Sequence, residues 1–507
     1  MNVLLVYPRF PDTYWSFRYA LWFQGKRAAQ PPLGLMTVAA LLPLSWNKRL
    51  IDANVERLRD RDLRWADVAF VSGMQVQQRE LVGIVRRCRA QGLRTVVGGP
   101  ITSTVPHMEL ECDHVVIGEA EDLIGGLAAD LERGTARPLY QSAERPGLEQ
   151  SPLPDLSLIR MDRYSTMTVQ CSRGCPFNCE FCDIIEIYGR RPRTKEAAQV
   201  VRELDQLYDA GWRGAVFIVD DNFIGNKMRA RLLLVAIGQW QRAHGHAFRL
   251  ITEASINLAD DPALLQSMKD AGFASVFLGI ETPDESSLAA TNKLQNTRRD
   301  LLASVAAIQG YGIEVMGGFI LGFDTDREDI FDRLVEFIQK SAIPIAMVGL
   351  LQAIPGTQLF RRLTREGRIE DSGGGNNTAC QLNFRPSMNA ERLIDGYRSV
   401  LRRIYASEPY YRRARQYLSR CQPRYHPHFN FGNIRALVLS VVCQGILGKS
   451  RASYWRFVAA AATRHRASFG AAMTLAVMGY HFQRVTERLL DGALDVSADR
   501  LPDRLPI

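Results

Sequence analysis

The stretch Cys171-Ser-Arg-Gly-Cys-Pro-Phe-Asn-Cys-Glu-Phe-Cys182 carries three cysteines at the spacing C-x3-C-x2-C, namely Cys175, Cys179 and Cys182. Three thiolates on one tight loop can hold three irons of a [4Fe–4S] cluster, which normally takes four cysteines. The fourth iron then keeps an open coordination site at which a small molecule can bind and react. Cys171 lies where a strand is predicted to end, and we interpret it as a structural thiol.

A zinc site and a disulfide framework are the alternative interpretations of these cysteines. Structural zinc takes four ligands, usually as two pairs, and no second Cys or His pair follows downstream. Nine cysteines in 507 residues are few and odd in number. No secretory signal is expected, because the first residues predict a short strand rather than a charged segment followed by an apolar one. The sequence therefore predicts an iron–sulfur cluster, and such a cluster fits a reducing cytoplasm.

With the aromatic Phe181 just before the last cysteine, the motif resembles the signature of the radical S-adenosylmethionine (radical SAM) enzymes. The resemblance implies that SAM binds the open iron through its amino and carboxylate groups. One electron then cleaves SAM to a 5'-deoxyadenosyl radical. It also implies an electron donor, such as flavodoxin or ferredoxin.

Residues 164–386 alternate predicted strands and helices, which predicts an α/β fold. The predicted strands are Tyr164–Gln170, Ala215–Val219, Arg249–Thr252, Ser275–Leu278, Glu314–Ile320 and Met347–Leu351. In the family these six βα units form a partial (β/α)6 TIM-like barrel, the radical SAM core. Active sites of such barrels lie at the C-terminal ends of the strands.

The predicted strand ends carry polar residues that the resemblance assigns to SAM. Asp220 and Asp221 suit its ammonium group, although a simple turn after the strand is the alternative. Ser255 and Asn257 follow the next strand and are candidates for the ribose or carboxylate. Glu281 ends the strand after that and is a candidate for the ribose hydroxyls.

The first 145 residues also alternate strands and helices, which predicts a doubly wound parallel sheet of Rossmann or flavodoxin-like type. Ligands of such sheets bind where the strands end and the loops turn. These loops are rich in small residues, which leave room for a bulky ligand: Ser72, Gly73, Gly98, Gly99 and Gly118, followed by Glu119.

Directly upstream of a radical SAM core, these loops resemble the cobalamin-binding domain of cobalamin-dependent radical SAM enzymes. The resemblance implies that they wrap the dimethylbenzimidazole tail of cobalamin. Many such domains carry D-x-H-x-x-G, whose His ligates cobalt. Here the matching stretch starts at Asp52 and has Asn54 in place of the His, so we expect cobalt to lack a His ligand. A flavodoxin-like domain without cobalamin is the alternative.

The rest of the chain is predicted to be a proline-containing linker, residues 146–163, and an α-helical C-terminal region, residues 387–507. From Leu401 to Ile507 there are 17 Lys+Arg and 6 Asp+Glu, so this part is basic. Its two uncharged apolar stretches, Ala436–Gly448 and Ala467–Gln483, are shorter than a membrane-spanning helix. We interpret them as packed helices, and contact with a membrane surface is the alternative.

Both cofactor motifs on one chain imply a methyltransferase that acts on an unactivated carbon, nearest to the hopanoid C-2 methylase group. A lipid or terpenoid-like substrate is expected from the basic, apolar-rich C-terminal region, and no nucleic acid is expected. The location is expected to be cytoplasmic, with peripheral membrane contact as the variant. A cobalamin-dependent rearrangement or cyclisation without methyl transfer is the alternative reaction, and no residue separates the two.

Overall fold

The computed structural model describes residues 1–142, 144–422 and 431–492 of the chain. Its first layer is a six-stranded parallel sheet in the order β2-β1-β3-β4-β5-β6. The strands are β1 (Asn2–Tyr7), β2 (Asn47–Asp52), β3 (Val68–Ser72), β4 (Arg94–Gly98), β5 (His114–Ile117) and β6 (Leu139–Gln141). Five of them match strands that the sequence predicts at Val3–Tyr7, Arg49–Asp52, Val68–Met74, Thr95–Gly98 and His114–Ile117, and β6 is additional. The strand predicted to reach Met74 ends at Ser72, so that Gly73 belongs to the loop.

Helices cover both faces of this sheet, because the side chains that point to either face are apolar. The helices of this part are α1 (Arg18–Gln24), α2 (Leu33–Leu41), α3 (Asp60–Trp65), α4 (Gln78–Ala90), α5 (Ile101–Thr104) and α6 (Ala120–Arg133). Val3 and Leu5 are buried with α2 and α6 on one face. Leu4 and Val6 are buried with α4 on the other.

The second layer is a curved parallel sheet in the order β14-β13-β12-β11-β10-β7. From here the strands are β7 (Thr166–Val169), β8 (Ser172–Arg173), β9 (Arg193–Thr194), β10 (Ala215–Ile218), β11 (Arg249–Ala254), β12 (Phe273–Glu281), β13 (Glu314–Leu321) and β14 (Ala346–Leu350). All six predicted core strands are present. The unpredicted antiparallel pair β8–β9 flanks the cysteine loop. The predicted partial barrel is confirmed.

The helices of this part are α7 (Ile184–Ile187), α8 (Ala197–Asp209), α9 (Lys227–Ala243), α10 (Pro262–Asp270), α11 (Glu285–Ala290), α12 (Leu301–Gly310), α13 (Ile330–Ser341) and α14 (Gln358–Arg365). Strand residues such as Val216, Leu250 and Val276 are fully buried with these helices in one core. The alternate residues on the same strands therefore face the inside of the barrel.

The barrel is not closed by strand pairing, since among the described residues β14 does not pair with β7. The opening is bridged by residues 14–29, here called the strap. At one end Tyr14 stacks on Tyr405 with 5.6 Å between ring centroids, and the Tyr405 hydroxyl donates to a carbonyl of β14. At the other end the Thr166 N–H of β7 donates to the Ala29 carbonyl (2.9 Å). The strap thus belongs to the barrel by its contacts, although it precedes most of the first sheet.

The C-terminal part is helical, as predicted, and packs on the barrel. It comprises α15 (Ala390–Tyr405), α16 (Ser407–Cys421), α17 (Phe431–Ser440), which a π-helical turn (Val441–Ile446) prolongs, α18 (Arg451–Arg464) and α19 (Phe469–Leu490). The apolar residues that recur at helical spacing in α15 are all buried, namely Leu393, Tyr397, Val400, Leu401, Ile404 and Tyr405. No helix in the described ranges is both long enough and apolar enough to span a bilayer. Residues 423–430 and 493–507 of the predicted region lie outside the described residues.

Candidate functional site

The three cysteines of the motif lie on the loop between β8 and α7, at the C-terminal edge of the barrel. Cys179 is buried, Cys175 and Cys182 are partly exposed, and all three are free thiols. The Asn222 amide donates to the Cys175 Sγ (3.8 Å), and the Gln295 amide donates to the Cys179 Sγ (3.5 Å). Amide groups of the barrel region therefore lie beside two of the three sulfurs.

The three cysteines supply the thiolate donors that an iron–sulfur cluster takes. Within the described ranges, no group of three or more His, Cys, Asp or Glu side chains is placed to hold a single metal ion. Burial raises the pKa of the Cys182 thiol above its usual range and also raises that of Cys175. Metal binding must therefore displace their protons.

A largely buried lysine compensates charge beside the cysteine loop. Lys293 Nζ lies 2.7 Å from the Glu281 carboxylate. Burial by itself lowers the pKa of Lys293, but Glu281 and the neighbouring Cys179 and Cys182 outweigh it and keep the pKa above its usual value. Three thiolates bring negative charge into a buried place, and a fixed cation reduces that cost. The predicted ribose contact Glu281 is thus already paired.

The start of the cysteine loop is fixed by backbone geometry. Gly174 has a φ of +95°, and a Cβ there would lie 2.8 Å from the Gly189 carbonyl oxygen. That close approach lets the Cys175 N–H donate to the same carbonyl (3.2 Å). Only glycine fits both the dihedral angle and the space.

The two aspartates that follow β10 hold the start of this loop through hydrogen bonds. Asp220 accepts from the Cys171 N–H (2.7 Å) and from the Ser172 hydroxyl (2.6 Å). Asp221 accepts from the Gly174 N–H (2.8 Å). Because Asp220 uses both oxygens within the protein, the structure leaves only Asp221 with a free carboxylate oxygen. The predicted pair therefore divides into a residue that supports the loop and a residue that remains available for a ligand.

The remaining predicted SAM residues form a connected network next to Cys175. The Asn222 amide donates to the Ser255 hydroxyl (3.2 Å), which in turn donates to the Asn257 amide oxygen (2.6 Å). Phe181 lies away from this network, with its ring 6.0 Å from that of Phe323. The structure brings Asp221, Ser255 and Asn257 next to the cysteine loop.

An acidic group inside the barrel was not predicted. Glu253 of β11 lies beside Phe277 in the sheet register. Burial and the neighbouring Asp221 and Asp220 raise its pKa to about 8. Burial likewise raises the pKa of Asp221 to about 7. Three carboxyls close together with so little positive charge around them suit a cationic ligand, such as an ammonium or sulfonium group.

The small residues predicted to hold cobalamin surround one apolar cavity at the C-terminal edge of the first sheet. Ser72, Gly98, Gly99 and Gly118 line it, together with apolar side chains from β3, β4, β5, α2 and α6. Gly99 has a φ of +85°, and a Cβ there would collide with the Ser72 hydroxyl. The lining is small and apolar, which is the character that the cobalamin tail requires. Gly73 lies outside the lining.

Glu119 does not face that cavity. Its carboxylate accepts from Arg173 (2.5 Å) and from Arg193 (2.5 Å), while Glu121 pairs with Arg173 (2.8 Å). We call these four residues the clasp. All four are largely buried, and they join the loop after β5 to the pair β8–β9 that flanks the cysteines.

From the sequence, Tyr188, Arg191, Arg193 and Lys195 after the cysteine loop are expected either to include a cofactor contact or to form a solvated basic stretch. Arg191 is exposed, as a solvated stretch requires, but Arg193 and Lys195 are not. Arg193 belongs to the clasp, and Lys195 forms a buried ion pair with Glu203. Their partners come from other elements, so no local pattern pointed to them.

Asn54, which stands where many cobalamin domains have a histidine, is held in place by Asp52 and by the loop after β1. Its amide nitrogen donates to the Asp52 carboxylate (2.7 Å) and to the Pro8 carbonyl (3.3 Å), and its amide oxygen accepts from the Phe10 N–H (2.9 Å). Asp52 also accepts from the Tyr164 hydroxyl (3.1 Å). Asn54 therefore organises the loop after β1.

Some site residues carried no local signal. Lys293 and Gln295 lie after α11, more than 100 positions from the cysteines, and Glu253 lies within a strand. Only the alternation along β11, which places Glu253 on the inner face with Ile251, indicates its direction. The partners of Arg173 required the tertiary structure.

Three family models match successive parts of the chain. Residues 28–128 match the B12 binding domain, residues 169–338 match the Radical SAM superfamily, and residues 357–493 match a domain of unknown function (DUF4070). The first two cover the apolar cavity and the cysteine loop.

Curated relatives span almost the entire chain. An uncharacterized methyltransferase of Synechocystis is 41% identical over 494 residues, which are 96% of this chain and 92% of that protein. The hopanoid C-2 methylase of Rhodopseudomonas palustris is 35% identical over 90% of this chain and 88% of that protein. Among solved structures, the cobalamin-dependent radical SAM enzyme OxsB superposes with a TM-score of 0.61 at 14% identity, covering 97% of this chain and 80% of that one.

Proposed function

This chain belongs to the cobalamin-dependent radical SAM methyltransferases, and we propose that it methylates an unactivated carbon of a polycyclic terpenoid or a related lipid. The membership confirms the family and the cofactors expected from the sequence, namely a [4Fe–4S] cluster, SAM and cobalamin. The observation that carries the substrate class is the apolar interior of the barrel, and the similarity to a hopanoid C-2 methylase supports it.

The inward-facing positions of the barrel are mostly apolar. Phe217, Ile251, Phe277 and Met316 alternate with fully buried residues on four neighbouring strands and remain partly accessible. Phe277 pairs with Met316 in the register of β12 and β13. The strap adds Trp15, whose ring lies 5.2 Å from that of Phe277. Such a lining favours a rigid apolar substrate, because apolar surface leaves water on binding.

We propose the following division of roles among the site residues. The cluster ligands are Cys175, Cys179 and Cys182. Asp221, Ser255 and Asn257 are placed to contact SAM, and Asp220 and Glu281 act through the loop and through Lys293. Ser72, Gly98, Gly99 and Gly118 hold the cobalamin tail, with Gly73 and Glu119 shaping the neighbouring loops. Phe181 packs behind the cluster loop.

When bound, the cluster and SAM supply the radical chemistry, and cobalamin supplies the methyl group. The chain itself orients these groups and excludes water. The clasp fixes the loop after β5 against the cysteine loop, and the strap covers the barrel opening. Placement of reacting groups within a fraction of an ångström is what such rigid contacts contribute to the rate.

The proposal includes two partners. A small electron carrier such as flavodoxin or ferredoxin delivers the reducing electron to the cluster. The protein works in the cytoplasm at the periphery of a membrane, where a lipid substrate is found. The division of the chain at residues 145, 163 and 386 is part of the same proposal.

The test is an anaerobic assay of the reconstituted enzyme with SAM that carries a deuterated methyl group. A purified hopanoid and a total bacterial lipid extract serve as substrates, and mass spectrometry follows the label. We expect the label on one carbon of the lipid, with 5'-deoxyadenosine formed alongside. Formation of 5'-deoxyadenosine without label in any lipid would contradict the proposed substrate class, and an unlabelled lipid of altered mass would indicate a rearrangement.

A further inference from the structure

The surface of α17, its π-helical turn and the start of α18 exposes large apolar side chains. Six of them lie between residues 434 and 455, namely Ile434, Leu437, Val438, Ile446, Leu447 and Trp455. We call this surface the apolar edge. Ile434, Val438 and Ile446 follow one another at multiples of four residues, so they share one side of the helix. The Trp455 indole donates to the Gly445 carbonyl (2.9 Å), which brings its ring next to Ile446.

The charge around the apolar edge has one sign. Residues 431–486 contain no Asp or Glu and seven basic residues, which are Arg435, Lys449, Arg451, Arg456, Arg464, Arg466 and Arg484. Arg435, Lys449 and Arg451 are exposed. None of these three has a carboxylate within salt-bridge distance in the part of the chain that the structure describes. Exposed apolar side chains between unpaired cations are the arrangement that binds an anionic lipid surface.

The apolar edge also lies next to the bridge across the barrel opening. α17 packs against α1 of the strap and against α19. The Arg435 guanidinium lies over the Trp22 ring of α1, 5.6 Å from its centroid. Trp15, which follows Tyr14 at the beginning of the strap, contacts Phe277 inside the barrel. A surface bound at the apolar edge would therefore stand beside the side of the barrel that strands leave open.

We propose that the apolar edge docks this enzyme on an anionic bilayer surface, with its apolar side chains in the headgroup region and Arg435, Lys449 and Arg451 on lipid phosphates. This inference rests on the proposed lipid substrate. It explains why a basic helical region with no spanning helix is attached to the barrel. Binding combines buried apolar area with attraction to anionic headgroups, so both contributions are measurable separately.

A second exposed apolar row provides a matched control. Met228, Leu232 and Val235 of α9 are exposed at helical spacing. The basic residues beside this row are paired, since Lys227 and Arg231 contact Asp261 (3.9 and 2.5 Å) and Arg229 contacts Glu196 (3.2 Å). The α9 row therefore has the apolar groups next to basic residues whose charge is already paired.

The test measures sedimentation of the full-length reconstituted enzyme with phosphatidylcholine vesicles and with vesicles that also contain phosphatidylglycerol. We expect binding to the anionic vesicles, weakened at least tenfold in V438E/L447E. The control L232E/V235E replaces side chains that are equally exposed, 56% and 59% against 53% and 57%, and should bind like the unchanged enzyme. R435Q/K449Q should lose about fivefold in binding per charge on anionic vesicles only.

Three outcomes would overturn the inference. They are no binding of the unchanged enzyme to anionic vesicles, equal binding of V438E/L447E, and an equal loss in the α9 control. A dimer that V438E/L447E dissociates, in the absence of vesicles, would assign the surface to a second copy instead. Formation of 5'-deoxyadenosine in vesicle-free buffer is followed in every variant. Its absence in the unchanged enzyme would count against the proposed function, whereas its presence with failed binding counts against docking alone.

Discussion

The two six-stranded parallel sheets differ in the chemistry of the loops at their C-terminal edges. The first sheet ends in small, uncharged residues around an apolar cavity, with Gly99 against Ser72. The barrel ends in cysteines, carboxylates and a buried lysine. Both edges follow the rule that ligands bind at the carboxyl ends of parallel strands.

The difference shows two ways of recognising a ligand on related scaffolds. The cavity of the first sheet selects by shape, because removing Cβ atoms lets a large apolar group approach the backbone. The barrel is apolar over most of its interior and acidic near the cysteine loop, where Asp220, Asp221 and Glu253 lie close together and suit a cationic ligand. The clasp joins the two edges, so that each site is placed relative to the other.

Substitution of a cluster cysteine should have the largest effect. In C179A we expect loss of the iron–sulfur absorbance and of SAM cleavage, because the cluster then has two protein ligands. The matched control is C171A, which removes a fully buried thiol four residues before the motif and should keep the cluster. Iron and sulfide analysis and 5'-deoxyadenosine formation are the measurements. Loss of the cluster in C171A would indicate that Cys171 is a cluster ligand. The comparison of the two edges would then rest on the wrong set of cysteines for the barrel.

Cutting the clasp should affect coupling between the two edges. E119Q leaves Arg173 and Arg193 short of a buried partner, which typically costs about 3–5 kcal/mol in such pairs. We expect SAM cleavage to continue while the amount of methyl transfer per SAM cleaved falls about a hundredfold. A loss of this size is typical when reacting groups are displaced from each other by about 1 Å. The control is E111Q, because the Glu111 carboxylate pairs with Arg86 on the surface. This variant should leave the ratio of methyl transfer to SAM cleavage unchanged. A proportional loss of both activities in E119Q would mean a general structural role instead.

Narrowing the cavity of the first sheet should affect cobalamin alone. In G99A the new Cβ meets the Ser72 hydroxyl, and overpacking of this kind costs about 2 kcal/mol, or about thirtyfold in affinity. Cobalamin titration followed by absorbance measures the change, with the cluster content as internal reference. G83A is the control, since nothing lies within 4 Å of a Cβ at that helical position. Unchanged cobalamin affinity in G99A would refute recognition by shape.

Glu253 inside the barrel should make the free energy of unfolding depend on pH. Burial raises the pKa of Glu253 to about 8, whereas an unfolded glutamate titrates near ~4.3. The folded chain thus holds a proton that the unfolded chain has lost, and the free energy of unfolding falls as the pH rises between about 4.5 and 8. E253Q removes this effect, so its free energy of unfolding should fall less steeply with pH than that of the unchanged chain, by up to about 1.4 kcal/mol per pH unit from about pH 5 to about pH 8.

Urea unfolding at several pH values measures the Glu253 effect, with the exposed Glu80 of α4 replaced as E80Q for control. A parallel pH profile of E253Q and the unchanged chain would show that Glu253 is ionised in the folded protein. The barrel would then hold a counter-charge that neutralises it, and the comparison would lose its electrostatic side.

The residues that local patterns identify are those whose role depends on spacing along the chain. Cys175, Cys179 and Cys182 sit on one loop, and the strands appear as apolar runs bounded by turn residues. The glycines at the ends of β4 and β5 were found for the same reason. Asp220 and Glu119 were also found, but as ligand contacts, and the structure gives their carboxylates other partners.

The sequence by itself determined the order of the α/β elements, the open iron of the cluster loop and the small residues of the cavity, because each of these is encoded within a few neighbouring positions. Only the tertiary structure decided which charges meet, such as Glu119 with Arg173, that residues 14–29 cross the barrel opening, and that α17 keeps an exposed apolar side. Burial and pairing depend on what lies opposite in space, and periodicity along the chain carries no record of it.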